Sequence, residues 1–309
     1  MTGSKDFDVI VVGDLNADLV LTGDVVPQFG QVEKLVDDAT LALGSSAGIF
    51  ACGAARLGLK TALISKVGDD TFGHFLLAEL KSHHVDTRGV VIDPGVKTGL
   101  TVILNRGADR AILTHLGSIS EIRLTDIGFD LLSRGRHLHL AAYYLLTGLM
   151  PEVPALFTRA QQLGLSTSLD TNYDPSETWD GQLREVLKHV SFVLPNETEL
   201  LSMTGARTLE EGIKATASLA PLVVIKLGAQ GALARQGDET TTAPGLKVDV
   251  VDTVGAGDTF DSGFLYGYLA HWPLERSLRL ACICGSLSTR AAGGIMAQPT
   301  LEEALRYLD

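Results

Sequence analysis

The chain has 309 residues, 45% of them apolar and 20% charged, with a formal charge of −12 at pH 7. That length and apolar share fit one large α/β domain or two of ordinary size, and they exclude a disordered chain. The acidic balance excludes broad nucleic-acid binding, which rests on basic residues neutralising phosphates.

Met1 to Asp6 carries no apolar stretch after a basic start, so no signal peptide is expected. The next run, Asp8-Val-Ile-Val-Val-Gly13, is β-branched and ends in glycine, the pattern of a strand buried on both faces. Similar runs recur at Thr61 to Ser65, His137 to Ala141, Ser191 to Leu194 and Leu222 to Leu227. Helical patterns lie between them, at Ala47 to Leu57, Phe72 to Ser82 and Pro151 to Leu163, the first and last stopped by Gly58 and Gly164. This alternation predicts a parallel sheet with helices on both faces.

Residues 14–43 and 96–116 break the alternation with short β segments. Thr98 to Asn105 and Arg110 to His115 are examples, separated by the turn-like Arg106-Gly-Ala-Asp109. Neither piece can bury a core alone, so both are expected in one small β lid. The α/β core then takes residues 1–13, 44–95 and 117–309. The C-terminal part returns to helices at Thr259 to Leu269, Leu274 to Ala292 and Leu301 to Leu308, with Thr300-Leu-Glu-Glu303 as a capping box. No apolar run reaches membrane-spanning length. The cysteines Cys52, Cys282 and Cys284 form no zinc pattern and read as reduced core thiols. A cytoplasmic protein without a membrane partner is expected.

The most informative stretch is Val251-Asp-Thr-Val-Gly-Ala-Gly-Asp-Thr-Phe-Asp-Ser-Gly263. A β-rich approach ends at Asp252, and an amphipathic helix is predicted from about Thr259. Gly255, Ala256 and Gly257 leave their backbone N–H groups open to close approach, at a helix N-terminus that favours phosphate. Asp258 in the same turn can accept a proton from an alcohol while those amides hold charge on a phosphoryl group. Taken alone, Gly-Ala-Gly-Asp is more often a helix cap than a catalytic site.

Asp252-Thr-Val-Gly-Ala-Gly-Asp-Thr-Phe260 resembles the C-terminal signature of the ribokinase-like (PfkB) carbohydrate kinases. The likeness continues, in family order, through Gly13-Asp-Leu-Asn-Ala-Asp18, Gly44-Ser-Ser-Ala47, Val67-Gly-Asp-Asp70, Pro195-Asn-Glu-Thr-Glu199 and Leu227-Gly-Ala-Gln-Gly231. It implies a doubly wound α/β core with a β lid, ATP and Mg2+, and a sugar or similar hydroxymethyl acceptor. Carried onto this chain, Asp258 is the general base and the backbone of Gly255, Ala256 and Gly257 the anion hole. Asp14, Asn16, Asp18, Gly44, Ser45 and Ile49 fall on the substrate side. Asn172, Asn196, Lys226, Gly228 and Gly231 fall on the nucleotide side, with Glu199 in the magnesium shell. Asp252 and the Val254 carbonyl resemble the start of a monovalent-cation (K+) site. The same resemblance implies a homodimer formed through the lids.

Local alternatives stand beside these roles. Asn196-Glu-Thr-Glu199 is also a capping box, and Leu227 to Gly231 is also a hairpin turn. His137 and His139 point the same way on their strand, which suits a metal or an ordinary sheet position. Tyr143-Tyr144 lines the acceptor pocket or simply packs. Two positions depart from the family pattern. Ser45 and Ile49 replace a glycine and an asparagine, which argues against ribose. Asp174 stands where many relatives carry Arg, which argues against an acidic sugar. A dinucleotide oxidoreductase and a P-loop kinase are excluded, since neither Gly-x-G-x-x-Gly after the first strand nor a Walker A motif is present. A nucleoside kinase, with Ile49 and Phe50 clamping the base, and a non-catalytic sugar-binding relative remain the competing readings.

Overall fold

The computed structural model describes residues 5–106 and 109–308. Met1 to Ser4, the start of the expected leaderless N-terminus, and Gly107-Ala108 of the expected turn lie outside the described residues.

The larger sheet takes strands from the whole chain. They are β1 (Phe7–Val12), then, after two lid strands, β2 (Asn16–Thr22) and β3 (Asp38–Leu43), β4 (Thr61–Gly68) and β5 (Asp86–Asp93). The lid strands β6 (Gly99–Arg106) and β7 (Asp109–His115) follow, then β8 (Gly135–Leu140), β9 (Ser166–Leu169), β10 (Phe192–Val193), β11 (Leu222–Lys226), β12 (Ala232–Gln236) and β13 (Glu239–Ala243). The nine-stranded order is β13-β12-β11-β10-β9-β8-β1-β4-β5, parallel except for the β12 and β13 hairpin at one edge. The four lid strands pair as β3-β2-β6-β7.

The β1 run shows why the sheet needs helices on both faces. Val9 and Val11 join one apolar cluster while Ile10 and Val12 join the other, as period-two alternation requires. The first cluster is covered by α1 (Ser46–Arg56), α2 (Thr71–Ser82) and, later in the chain, the helix over Ala256–Leu269. The second lies against α3 (Phe129–Ser133), α4 (Val153–Gln162), α5 (Leu183–Val186), α6 (Glu197–Thr204) and α7 (Leu209–Ala217). The chain ends in α8 (Ala256–Leu269), α9 (Leu274–Ser288) and α10 (Leu301–Leu305).

Three expectations need correction. The approach to the glycine turn is irregular, not β-rich, from Pro244 to Gly255. Helix α8 starts at Ala256, three residues earlier than predicted, so Asp258 lies in its first turn. Helix α9 ends at Ser288, short of Ala292, because the Thr289 carbonyl instead accepts the Val251 and Asp252 amides at 2.8 and 3.1 Å. Among the described residues no helix is long and apolar enough to cross a membrane.

Candidate active site

The carboxyl ends of β1, β9, β10 and β11 share one end of the sheet, where open α/β folds present their ligand crevice. Asp14 leaves β1 there and is 2% exposed. Its Oδ1 accepts the Ala47 amide at 3.0 Å and its Oδ2 the Ser46 amide at 3.2 Å, while the Ser45 hydroxyl donates to the Asp14 carbonyl at 2.8 Å. Asp14 and Ser45 therefore bind β1 to the N-terminus of α1. Burial pushes the Asp14 carboxyl up to about 6, against those hydrogen bonds.

Asn16 and Asp18 do face one side of β2, the Asn16 amide donating to Asp18 Oδ1 at 2.8 Å and to Thr101 Oγ1 at 3.2 Å. Gly44 makes room for them: a Cβ on it would lie 2.2 Å from Asp18 Oδ1 and 2.7 Å from Asn16 Nδ2. Burial and then the Asp14 charge push Asp18 up to about 7. Ile49 is not at a surface. It is 3% exposed and packs under Gly255 and Gly294, so its methyls fill the gap between α1 and the glycine turn. Phe50 is fully buried and stacks on His139 at 3.8 Å.

The chemistry gathers around Lys226 at the end of β11. Its ammonium lies 3.2 Å from Asp170 Oδ1 and 3.1 Å from Asp261 Oδ2. Burial alone would lower its pKa, but the charges of Asp170, Asp261, Glu199 and Asp258 outweigh that and raise it. Asp258, half-buried in the first turn of α8, accepts the Ser46 hydroxyl; Asp170 Oδ2 stands 3.3 Å from that same oxygen. Desolvation first, then the Asp170 charge, push Asp258 up to about 8, with Ser46 and Lys226 pulling the other way. Burial also raises Asp261 well above the usual carboxylate range, and raises Glu199 to about 7.

Gly255 takes a left-handed φ of 71°, turning the chain into α8. The amides of Gly257 and Asp258 fall in the first helical turn, where no preceding helical carbonyl exists to accept them. The Ala256 amide reaches the Thr253 carbonyl at 3.3 Å. The Lys226 ammonium lies beside this turn, 3.5 Å from where a Cβ on Gly257 would stand. Beside it opens a cleft of about 580 Å3, lined among others by Lys226, Gly228, Gly231, Ala256, Gly257 and Phe260. Gly231 has a φ of 101° and no space for a Cβ, which would lie 2.0 Å from the Ala243 carbonyl. The segment from Leu227 to Gly231 thus both joins β11 to the antiparallel β12 and borders the cleft.

Other predicted residues fall elsewhere. Asn196 and Glu199 form the reciprocal cap of α6, both bonds at 2.9 Å. Neither Asn196 nor Asn172, whose φ is 57°, lines the cleft. Asp252 accepts the Val254 and Gly293 amides at 3.1 and 3.0 Å. His137 and His139 are buried sheet residues that share the Ser168 hydroxyl at 2.7 Å, while the other ring nitrogen of His137 meets the Ser166 hydroxyl at 2.7 Å. No group of three His, Cys, Asp or Glu side chains suited to a metal occurs among the described residues. Ser46, Asp170 and Asp261 were missed as functional candidates.

Comparison with known proteins gives one answer at the level of family. Residues 6–301 match the pfkB family of carbohydrate kinases. An ATP-dependent 6-phosphofructokinase from Thermoanaerobacterium thermosaccharolyticum is 28% identical over 96% of this chain and 92% of its own. Fructokinase-1 of Zea mays is 28% identical over 93% and 94%. Among solved structures, Arabidopsis thaliana ribokinase complexed with ribose and ATP superposes with a TM-score of 0.85 at 22% identity, over 98% of this chain and 99% of its own, a likeness of fold. A match running from before β1 to the start of α10, over a core and lid of this architecture, makes the chain a member of the pfkB family of carbohydrate kinases, and so a phosphotransferase.

Proposed function

We propose that this chain moves the terminal phosphoryl group of ATP to a hydroxymethyl group of a small sugar. Asp258 takes the hydroxyl proton as the alcohol oxygen bonds to phosphorus and the bond to the ADP oxygen breaks. The observation that carries the reading is the position of Asp258. It is half-buried, its carboxyl lies near 8, and it shares the first turn of α8 with the amides of Gly257 and its own backbone.

Those two amides, rather than all three residues of Gly255 to Gly257, are the better anion hole, because the Ala256 amide already has the Thr253 carbonyl. Lys226 beside Gly257 adds a positive charge to the transferring group, while the cleft past Gly228 and Gly231 takes the nucleotide. Asn16 and Asp18 hold sugar hydroxyls, each side chain able to meet more than one. Magnesium favours one or two carboxylates plus phosphates and water; Glu199, whose carboxyl accepts the Asn196 amide at the foot of α6, would be its protein contact, where the ion would neutralise charge on the phosphates. The amide and carboxylate of Asn16 and Asp18 side by side favour a hydroxyl-rich sugar over a nucleoside.

Asp258→Asn keeps the shape and removes the base. We expect kcat for ADP release to fall about 10²–10⁴-fold with nucleotide affinity nearly kept. Equal turnover by the two proteins would reject the assignment.

The lid supports a homodimer. Strand β7 is exposed throughout, with Ile112 54% and Leu113 61% accessible, and Leu41 on β3 adds to the uncovered apolar surface. Sedimentation at micromolar concentration is expected to give a dimer that Leu113→Glu weakens. A wild-type monomer counts against it.

A further inference from the structure

The amino end of the large sheet holds a cavity of about 460 Å3, away from the cleft beside Lys226. Lys5, Arg136, Ser166, Tyr268, Leu269 and His271 are among its walls. Lys5 precedes β1, Arg136 is second in β8 and Ser166 first in β9, three strands that lie side by side. Helix α8 spans the distance between the two sites: Asp258 sits in its first turn and Tyr268 in its last, about 15 Å apart at 1.5 Å per residue. The cavity shares no lining residue with that cleft.

Its walls are one-sided in charge. No Asp or Glu lines it, in a chain of formal charge −12. Other cations at this end of the sheet are matched: Arg134 pairs with Asp6 and Arg88 with Asp86, both at 2.6 Å. Lys5 has no such partner. Its Nζ donates to the Ser133 and Leu163 carbonyls at 3.1 Å each, and no carboxylate meets it among the described residues. Burial lowers its pKa, as befits an ammonium with nothing to neutralise it, and one of its three protons is left over. Arg136 gives Nη1 to Asp8 at 2.9 Å and Nη2 to the Leu269 carbonyl at 3.1 Å, which covers an acceptor at the end of α8 that would repel an anion. Lys5 and Arg136 against Asp8 alone leave one positive charge unmatched. The Tyr268 hydroxyl and the His271 ring have no hydrogen-bond partner among the described residues.

Open donors around an unmatched positive charge, with no carboxylate in the walls, suit an anion with several acceptor oxygens. A phosphoryl group presents three such oxygens in different directions, a carboxylate two in one plane. The volume falls within the roughly 300–1,000 Å3 of small-molecule sites, and Leu269 and the Tyr268 ring give it an apolar side, so there is room for the carbon part of an ester. We propose that this cavity is a second binding site, separate from the candidate active site, for a phosphate monoester of a small molecule, with Lys5 and Arg136 meeting its phosphoryl oxygens.

The imidazole C2–H proton resonance of His271, assigned by its absence in His271→Asn, reads the site directly in the full chain. Asn suits that position because it tolerates the left-handed φ of 56° there. Titration with glycerol 3-phosphate is expected to shift the resonance saturably, while glycerol, and sodium chloride at equal ionic strength, leave it in place. Lys5→Met keeps the alkyl stem and is expected to weaken binding about tenfold. Lys5→Arg, which keeps the charge, is expected to bind nearly as wild type does. Orthophosphate is expected to bind more weakly than the ester, because it leaves the apolar side uncovered, and glycerate more weakly still. No saturable shift with the ester, the same shift with sodium chloride, or tighter binding of orthophosphate or glycerate overturns the proposal. So does wild-type affinity in Lys5→Met, or a loss in Lys5→Arg as large as that in Lys5→Met, which would make the role of Lys5 structural.

Discussion

At Asp258 two opposing influences meet. Desolvation and the Asp170 charge hold its proton, while the Ser46 hydroxyl and Lys226 release it. A base works only when ionised, so kcat/KM is expected to rise with pH and level off above about 8, the value for the free enzyme. Ser46→Ala removes a group that favours the ionised form, so the rise should move to higher pH in that variant. A pH–rate profile of both proteins checks this, and an unmoved limb would separate Ser46 from the base. The turn carrying Asp258 was legible because the motifs from Gly13 to Gly231 recur around it in family order; taken alone it would have read as a helix cap. Ser46, Asp170 and Asp261 were not, because each alone is an ordinary helix start, strand end or helix position. Only the meeting of α1, β9, β11 and α8 brings Ser46 to Asp258 and Asp170, and Asp170 and Asp261 to Lys226. Ile49, placed on the substrate side by resemblance, packs beneath Gly255 and Gly294.

Elements are held in place here by charge as well as by apolar packing. Lys226 joins β11 to the loop after β9 and to α8 through Asp170 and Asp261, with the three side chains 13%, 6% and 1% exposed. Removing one member of such a group strands its partners, so Lys226→Met is expected to cost about 3–5 kcal/mol in urea unfolding. Adding Asp261→Leu should return part of that loss; a double variant worse than the single would show that the ion pair is not the source. Strands β1, β4, β8 and β11 were legible as continuous apolar runs. Strand β5 was not, since its pattern is half-exposed, nor was β9, which has four residues, nor the β12 and β13 hairpin on the sheet edge. Edge strands carry polar residues because one side meets water, and the apolar signal then fades.

Over the whole molecule, buried acids are concentrated near the carboxyl end of the large sheet. Asp14, Asp18, Glu199 and Asp258 are raised to about 6, 7, 7 and 8, and Asp261 is raised as well. The folded chain therefore holds protons that the unfolded chain gives up near pH 4. Stability from these groups is present at the acid end and is lost as pH rises through 6 to 8. The unliganded protein is expected to melt at a higher temperature at pH 5.5 than at pH 8.5, with a shallower slope in Asp258→Asn, read by a thermal melt without nucleotide. A slope of the opposite sign would mean that these acids are ionised in the fold.

The sheet pairings give the two halves of the site different mechanical homes. Asn16 opens β2, the strand at the middle of the lid, whereas Asp258 belongs to a helix packed on the large sheet. On the roles proposed for Asn16 and Asp258, any tilt of the small sheet against the large one changes the spacing between grip and base, as when a jaw opens on its anvil. A sugar held by the jaw alone would stay out of reach of the proton acceptor, and ATP bound without a sugar would lack a nucleophile brought into line.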